Sequence, residues 1–258
     1  MKLEQIIRKI GRTAQVRIPM IREIGKWAEH KLRLLTRTAH DPELEGLRLI
    51  SVPPGALFAD IGANRGWATH SFRILHPHVR IHAFEPNPGM ADRIAHLYRP
   101  PDALHAVALS DRMGEFPLYI PVYRGLAFDG LASLSEEEAR RWLNAETLFG
   151  FDPGRLEVRA VACPVATLDS FGIRPFFMKI DVQGFELEVI SGGLGTIAAS
   201  EPIIFAESET LDVTEALRLL AGWDYSVFRF DGRFHRGETS RRNVYFLPAS
   251  KIGLLPAG

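Results

Sequence analysis

The stretch that decides the fold is Leu57-Phe58-Ala59-Asp60-Ile61-Gly62-Ala63-Asn64-Arg65-Gly66-Trp67. A short apolar run holds an acid near its end, passes two glycines and leads into a predicted helix over residues 65–75. This order of strand, tight loop and helix is typical of the first half of a βαβ unit. Gly62 and Gly66 have no Cβ, so a ligand can approach the loop backbone closely. The stretch therefore predicts an α/β fold with a binding crevice at the end of its first strand.

A second strand-like run, residues 79–84, is followed by Glu85. A carboxylate at this position can accept hydrogen bonds from the two hydroxyls of a ribose. The loop after the first strand lacks the third glycine of G-x-G-x-x-G, which argues against the pyrophosphate of a dinucleotide. Asp60 would repel phosphate but suits a ligand that carries an ammonium and a sulfonium group. These features favour S-adenosylmethionine as the ligand, and the alternative is an ordinary buried strand and turn.

Length and composition limit the class of protein. A chain of 258 residues fits one large domain, or one domain with an appendage. The formal net charge of zero gives no global indication of nucleic-acid binding. The single cysteine, Cys163, excludes an internal disulfide framework and is expected to be a small buried residue on a strand. Because no apolar run approaches a membrane span and the N-terminus lacks a signal-peptide core, we expect a cytoplasmic protein.

The first 50 residues are basic, with eleven Lys and Arg against six Asp and Glu, which leaves the remainder at −5. Apolar residues recur there at helical spacing in two groups, Leu3, Ile6, Ile7 and Ile10, then Ile21, Ile24, Trp27 and Ala28. We predict a helical extension over residues 1–48, with Pro19 at the start of its second helix. We expect it to pack on the domain with a solvated basic face. A membrane-surface helix, a lid over the active site and a pairing element for a homodimer are the alternatives.

Further elements follow the second strand. Asn87 and Pro88 begin a predicted helix that runs to about Tyr98, and the apolar run 104–109 predicts a third strand. Ser110 and Asp111 come directly after that strand and can reach the edge of an adenine. Near the end of the chain, two predicted strands have no helix between them and should therefore pair antiparallel: residues 225–230 and 243–247.

The region from about 115 to 165 does not alternate between strands and helices. It contains a predicted charged helix over residues 135–148, in which Ser135 and Glu138 form a capping box. An insertion of this size between core strands is typical of a lid or a specificity element. We therefore predict a binding domain over residues 49–258 whose insertion covers the acceptor substrate.

The second informative stretch is Phe177-Met178-Lys179-Ile180-Asp181-Val182-Gln183-Gly184-Phe185-Glu186. An apolar strand holds Lys179 and ends at Asp181, and period-two alternation places both side chains on the same face. Burying these charges is costly unless each pairs with the other or with a ligand. One interpretation is an ion pair that ties the sheet to a helix. The other places Asp181 at the mouth of the crevice, where a methyl group would be transferred.

Five motifs over roughly residues 50–210 resemble those of the FkbM family of S-adenosylmethionine-dependent methyltransferases. They are Asp60-Ile61-Gly62-Ala63-Asn64 with Gly66, Phe84-Glu85-Pro86-Asn87-Pro88, Ala108-Leu109-Ser110-Asp111 with Gly114, Thr167-Leu168-Asp169, and the run from Lys179 to Glu186. Gln183 stands where many relatives carry glutamate, so a direct acid role at that position is not expected. The resemblance implies a class I, Rossmann-like sheet of seven strands in the order 3-2-1-4-5-7-6, with the last strand antiparallel.

The resemblance also implies a cofactor site and an activity. The implied cofactor-binding residues are Asp60, Gly62, Asn64, Gly66, Glu85, Asn87, Ser110 and Asp111. Asp60 and the glycine loop would hold the methionine part of S-adenosylmethionine and Glu85 the ribose, while Ser110 or Asp111 would contact the adenine. Members of the family typically methylate hydroxyl oxygens of sugars or secondary metabolites, so the resemblance implies an O-methyltransferase.

The implied reaction is an in-line displacement at the sulfonium methyl, assisted by holding the acceptor oxygen in line with the breaking bond. Asp181 is the first candidate for the base that takes the hydroxyl proton, with Lys179 setting its charge state. Glu186 and His235 are weaker candidates. Asp181, Glu186 and Glu207 could converge on a metal ion, but no ligand spacing requires one, so none is expected.

Three other functions compete with this interpretation. A nucleic-acid methyltransferase would usually carry an Asn/Asp-Pro-Pro-aromatic run after the fourth strand, and this chain does not. A nucleotide-cofactor oxidoreductase is disfavoured by the missing glycine. A non-catalytic binding or scaffold protein is disfavoured because Asp60, Glu85 and Asp181 occur together. The expected partner is a small-molecule or glycan hydroxyl acceptor, with no nucleic acid and no stable membrane insertion.

Overall fold

The computed structural model describes residues 9–14, 16, 18–239 and 242–256, with side chains described for all of these except 19–23 and 26. The described strands are β1 (Leu57–Ile61), β2 (Arg80–Phe84), β3 (Ala103–His105), β4 (Ala108–Leu109), β5 (Gly114–Tyr123), β6 (Leu126–Ala127), β7 (Leu156–Ala166), β8 (Phe177–Ile180), β9 (Ile203–Glu207), β10 (Ser226–Phe230), β11 (Phe234–Arg236) and β12 (Asn243–Leu247). The α-helices with both ends described are α1 (Pro19–Thr36), α2 (Trp67–Leu75), α3 (Pro88–Ile94), α4 (Glu136–Arg141), α5 (Glu186–Ser191), α6 (Leu194–Ser200), α7 (Val213–Leu219) and α8 (Ala249–Ile252). Residues 9–14 are also helical.

The larger sheet has eight strands in the order β11-β10-β12-β9-β8-β1-β2-β3. The strands from β9 to β3 are parallel, whereas β12 lies antiparallel between β9 and β10. The α/β class is therefore confirmed, and so is the antiparallel pairing of residues 226–230 with 243–247. The predicted seven-stranded order is not matched in full, because β11 pairs with β10 and extends the edge of the sheet.

Strands β1 and β8 form the centre of this sheet, and every residue in both is buried. A parallel strand covered on both faces reads as an apolar run, which explains why both strands were visible in the sequence. Ile61 pairs in register with Ile180, so the loops that follow the two strands leave the sheet side by side. This register brings the two informative stretches of the sequence together.

A second sheet, β4-β7-β5-β6, is built largely from the predicted insertion, and β5 and β7 pair antiparallel along its length. The run 104–109, predicted as one strand, is divided between the sheets: β3 pairs with β2, and β4 pairs with β7. The single-strand prediction is wrong because Val107 N–H donates to the His105 carbonyl and turns the chain between the two halves.

The charged helix of the insertion is shorter than predicted. Ser135 caps α4 by accepting a hydrogen bond from the Glu138 N–H at 3.3 Å, as one half of the predicted capping box requires. The helix ends at Arg141 rather than near residue 148. The reason is that the Asn144 side-chain oxygen accepts from the N–H groups of residues 146 and 147, and these bonds replace helical ones.

The N-terminal helix α1 begins at Pro19, as predicted. Its packing differs from the expectation, because Ile24 and Trp27 are exposed instead of facing the domain. The predicted apolar group at Leu3, Ile6 and Ile7 lies outside the described residues. Within the described part of the chain, no helix has both the length and the apolar character needed to cross a membrane.

Candidate functional site

The loop after β1 lies directly against the loop after β8. Gly62 has a φ of +78°, and a Cβ built on it would overlap the Asp181 carbonyl oxygen. Gly66 has a φ of +75°, and a Cβ there would lie 2.5 Å from Leu97 Cδ1. Gly62 requires glycine, because its backbone is left-handed and backbone atoms of Asp181 fill the space for a side chain; at Gly66 the left-handed backbone favours glycine, whereas Leu97 Cδ1 is the end of a flexible side chain.

Two adjacent cavities lie at these loops. The larger has a volume of about 600 Å³ and is lined by both loops, the insertion, and Arg12, Val16 and Glu29 from the N-terminal segment (residues 9–36). The smaller has a volume of about 70 Å³ and lies beside Glu85, where insertion residues wall it. The lining residues common to both cavities are Gly62, Asn64, Gly130 and Asp181. Groups bound in the two cavities would meet at this shared wall.

Glu85 follows β2 and is 5% exposed, with its side chain lining the smaller cavity. One carboxylate oxygen accepts from the Asn87 N–H at 2.9 Å and the other from the Asn64 N–H at 2.6 Å. Burial raises the pKa of Glu85 to about 7, although these hydrogen bonds and the Lys179 ammonium act in the opposite direction. The carboxylate thus ties the β1 loop to the β2 loop, and each of its oxygens has a second lone pair that can accept a further hydrogen bond.

Asp60 is fully buried in β1 and is not among the described residues that line either cavity. Its Oδ2 accepts a hydrogen bond from Thr69 Oγ1 at 2.8 Å, and its Oδ1 lies 3.6 Å from Lys179 Nζ. That Oδ1 accepts no hydrogen bond from the described residues. The structure therefore places the Asp60 charge behind the cavity wall, where it acts on the cavity through Lys179.

The buried Lys179 side chain contacts both the loop after β1 and the loop after β8. Its Nζ donates to the Gly62 carbonyl at 2.7 Å and lies 3.6 Å from both Asp60 Oδ1 and Asp181 Oδ2. Burial acts to lower the pKa of Lys179, but the carboxylates of Asp181 and Asp60 outweigh it, so the pKa is raised. The side chain is therefore a fixed cation, and the proximity to Asp181 predicted from strand alternation is observed.

Asp181 is half exposed at the wall shared by the two cavities. Its Oδ1 accepts a hydrogen bond from Gln183 Nε2 at 2.8 Å, and the same amide nitrogen donates to Glu207 Oε2 at 2.7 Å. Burial and the neighbouring Asp181 charge raise the pKa of Glu207 to about 8. The sequence shows Gln183 only as a departure from the family pattern. The bridge it forms could not be predicted, because Glu207 belongs to β9, which is distant in the chain.

Glu186, a weaker catalytic candidate, is 1% exposed and is not among the residues that line either cavity. Its carboxylate accepts from the Val182 N–H at 3.1 Å, from the Gly184 N–H at 3.2 Å and from Thr210 Oγ1 at 2.9 Å. These bonds fix the loop that carries Asp181, so Glu186 positions that loop. The described residues contain no group of three or more His, Cys, Asp or Glu side chains arranged to hold a metal ion.

Asn87, Ser110 and Asp111 do not line the smaller cavity, and the weaker catalytic candidate His235 lies on β11 at the edge of the larger sheet, with its Nε2 2.8 Å from Asp231 Oδ1. Ser110 is buried, and its hydroxyl donates to Asp111 Oδ1 at 3.1 Å. The wall near them is made by residues 107–109 instead. Asn87 caps α3 through the Gly89 N–H, and its Nδ2 lies 3.3 Å from Asp129 Oδ1 of the insertion.

Several lining residues were not predicted. Trp67, Trp142 and Phe128 contribute aromatic walls to the larger cavity, and Ser133 of the insertion donates to the Gln183 carbonyl at 2.8 Å. Residues of the insertion therefore line both cavities. The tryptophans gave no signal in the sequence, since isolated aromatic residues more often belong to a core.

Comparisons with known proteins place the chain in a family. A family model described as the Methyltransferase FkbM domain matches residues 60–227. No curated protein sequence matches the chain. Among solved structures, methyltransferase FkbM from Methylobacillus flagellatus KT is similar at 16% identity and a TM-score of 0.49, over 77% of this chain and 45% of that one.

Precorrin-6y C5,15-methyltransferase from Geobacter metallireducens GS-15 is similar at 15% identity and a TM-score of 0.38, over 80% of this chain and 86% of that one. Neither likeness to a solved structure supports a functional statement at these scores. This chain also spans less than half of the Methylobacillus protein's length. The family match, in contrast, covers well over half of this chain. The chain therefore belongs to the FkbM methyltransferase family.

Proposed function

We propose that the protein is an S-adenosylmethionine-dependent methyltransferase that acts on a hydroxyl oxygen of a sugar or secondary metabolite. The observation that carries the proposal is the position of Glu85. It is a buried carboxylate at the end of β2 beside a cavity that meets a larger one at Asp181. The larger cavity, about 600 Å³, is within the size range of small-molecule sites.

The residues present fit the cofactor. The loop from Gly62 to Gly66 contributes Gly62 and Asn64 to the walls of both cavities, which suits contact with the methionine part. Glu85 would accept hydrogen bonds from the ribose hydroxyls, and the apolar wall at residues 107–109 suits the adenine face. When bound, S-adenosylmethionine supplies an electrophilic methyl group.

The acceptor side of the reaction depends on Asp181 and Lys179. Asp181, which lines the shared wall, would take a proton from an acceptor hydroxyl held in the larger cavity. The Lys179 ammonium lies 3.6 Å from that carboxylate. The walls of the larger cavity would orient the acceptor oxygen, and such positioning supplies much of the rate enhancement in group transfer.

Titration calorimetry with S-adenosylmethionine and S-adenosylhomocysteine tests the cofactor assignment. We expect Glu85→Gln to weaken binding by about tenfold or more, because it removes the charged acceptor of the ribose hydroxyls. Glu157→Gln, a matched change at an exposed position on β7, should leave affinity unchanged. Folded wild-type protein that binds neither compound, or equal affinities in both variants, would contradict the proposal.

Asp181→Asn tests the acceptor side. With an acceptor found by screening hydroxylated sugars and polyketides, we expect kcat to fall about 10²- to 10⁴-fold, since the base is lost. Cofactor affinity should stay within a few fold, because the proposal assigns the ribose hydroxyls to Glu85 and not to Asp181. Full activity in Asp181→Asn would remove it from the catalytic role while leaving the cofactor assignment intact.

A further inference from the structure

The N-terminal segment presents apolar side chains to solvent. Ten large apolar side chains are exposed in the described part of the chain, and seven of these lie between residues 10 and 35. On α1, Leu35 is 82% exposed, Trp27 63% and Ile24 57%. At about 3.6 residues per turn, these three side chains project from the same side of the helix. Exposed large apolar side chains grouped on one side of a helix are a feature of interaction sites.

Polar groups attach this helix to the rest of the protein. His30 Nδ1 lies 3.1 Å from His40 Nε2, and the His30 ring lies 4.4 Å from the His70 ring. None of the described side chains of α1 belongs to a buried apolar cluster. The helix therefore turns a polar side towards the domain and its apolar side outwards, the reverse of the usual packing of an amphipathic helix.

The positive charge of the same segment indicates a negatively charged partner. Residues 1–37 contain ten Lys and Arg against three Asp and Glu, a formal charge of +7, which leaves −7 for the rest of the neutral chain. Lys31 lies within the apolar side of α1, with its Nζ 5.9 Å from the Trp27 ring centroid. A second copy docked helix to helix would bring this positive charge against itself. A negatively charged surface with an apolar interior would satisfy both features.

We propose that α1 is an interfacial anchor whose apolar side, Ile24, Trp27 and Leu35, enters the headgroup region of an anionic lipid bilayer. The surrounding Lys and Arg side chains then contact the lipid phosphates, and Trp27 lies at the level where indole rings are favoured. The helix lies in the plane of the surface and does not span the membrane, consistent with its length and charge. This binding does not depend on the proposed methyl transfer.

Co-sedimentation with vesicles tests the anchor. The full chain is mixed with vesicles of phosphatidylcholine alone, or of about seven parts phosphatidylcholine to three parts phosphatidylglycerol, at about 50 and about 500 mM NaCl. We expect binding to the anionic vesicles that weakens at least about tenfold at high salt, and little binding to the neutral ones. The double variant Trp27→Ser with Leu35→Ser should lose at least about tenfold in partitioning at low salt.

Met113→Ser is the matched control, because Met113 is as exposed as Trp27 but lies in the turn between β4 and β5. It should bind vesicles as the wild type does. Absence of binding to anionic vesicles by folded protein would overturn the proposal, as would equal binding by the double variant. A dimer in sedimentation velocity that the double variant abolishes, without vesicle binding, would also overturn it and assign the surface to a second copy.

Discussion

At the scale of single residues, Gly62 is the position that the site tolerates least. It occurs where the loop after β1 touches the backbone after β8, with a left-handed φ. Gly62→Ala should lower the free energy of unfolding by about 3 kcal/mol, because the methyl group overlaps the Asp181 carbonyl oxygen. Urea denaturation measures the change.

Gly55 provides the control for this prediction. Its φ is +73°, close to that of Gly62, but nothing lies within 4 Å of the position of its Cβ. Gly55→Ala should therefore cost only the conformational strain, about 1 kcal/mol. If the two variants lose equal stability, the close approach of the two loops does not restrict Gly62.

The raised pKa of Glu85 predicts that the proposed cofactor binding depends on pH. Burial raises the pKa of this carboxyl to about 7, and only the ionised form can accept hydrogen bonds from both ribose hydroxyls. Below that value a proton must be lost on binding, so affinity for S-adenosylmethionine should rise by up to about tenfold between about pH 6 and pH 8. Calorimetry at both values measures it, and Glu85→Gln should show a flat profile. A wild type that binds equally at both values would contradict this role.

At the scale of the elements, three histidines hold α1 to the domain. Burial lowers the pKa of His30, and it lowers the pKa values of His40 and His70 to about 4. The charged groups that face them, Lys31, Arg33 and Arg73, with His96, lower these values further. Packed together, the three rings are therefore neutral in the folded protein near neutral pH.

The sign of the resulting effect follows from proton binding. Between pH 6.5 and about 4, His40 and His70 bind protons in the unfolded chain but not in the folded protein. Acidification therefore lowers the free energy of unfolding. We expect the urea midpoint to fall between about pH 6.5 and pH 4.5, and His40→Asn to reduce that fall. His78→Asn, at an exposed position after α2, should leave that fall unchanged. An unchanged pH dependence in His40→Asn would show that the cluster does not carry the effect.

At the scale of the whole molecule, the insertion is tied to the loops of the larger sheet. Ser133 donates to the Gln183 carbonyl at 2.8 Å, and Asp129 contacts Asn87 at 3.3 Å. Ser133, Asp129 and Gln183 line the smaller cavity, whose volume of about 70 Å³ is well below that of a typical ligand site. If S-adenosylmethionine binds there as proposed, the contacts of the insertion with these loops must change.

Hydrogen exchange can detect this coupling. S-adenosylhomocysteine should slow amide exchange at residues 128–134, because the bound ligand fills the space that these residues enclose. The hairpin of β10 and β11 lies at the far edge of the larger sheet and should exchange at an unchanged rate. Equal exchange of residues 128–134 with and without ligand would place the cofactor elsewhere.

The sequence alone predicted the central features of the fold and part of the site. The strand, loop and helix around Gly62, the acid after β2, and the shared face of Lys179 and Asp181 all follow from local periodicity. Local patterns are informative there because the backbone geometry of a strand or a tight loop fixes which residues can occupy it. The family follows from the same motifs.

Only the tertiary structure decided how these pieces are used. It divided residues 104–109 between two sheets, placed Asp60 behind the cavity wall, linked Asp181 to Glu207 through Gln183, and turned the apolar side of α1 outwards. Each outcome depends on contacts between segments far apart in the chain. A residue's own neighbours in sequence determine its secondary structure preference, whereas its burial and its partners are determined by which surfaces meet after folding.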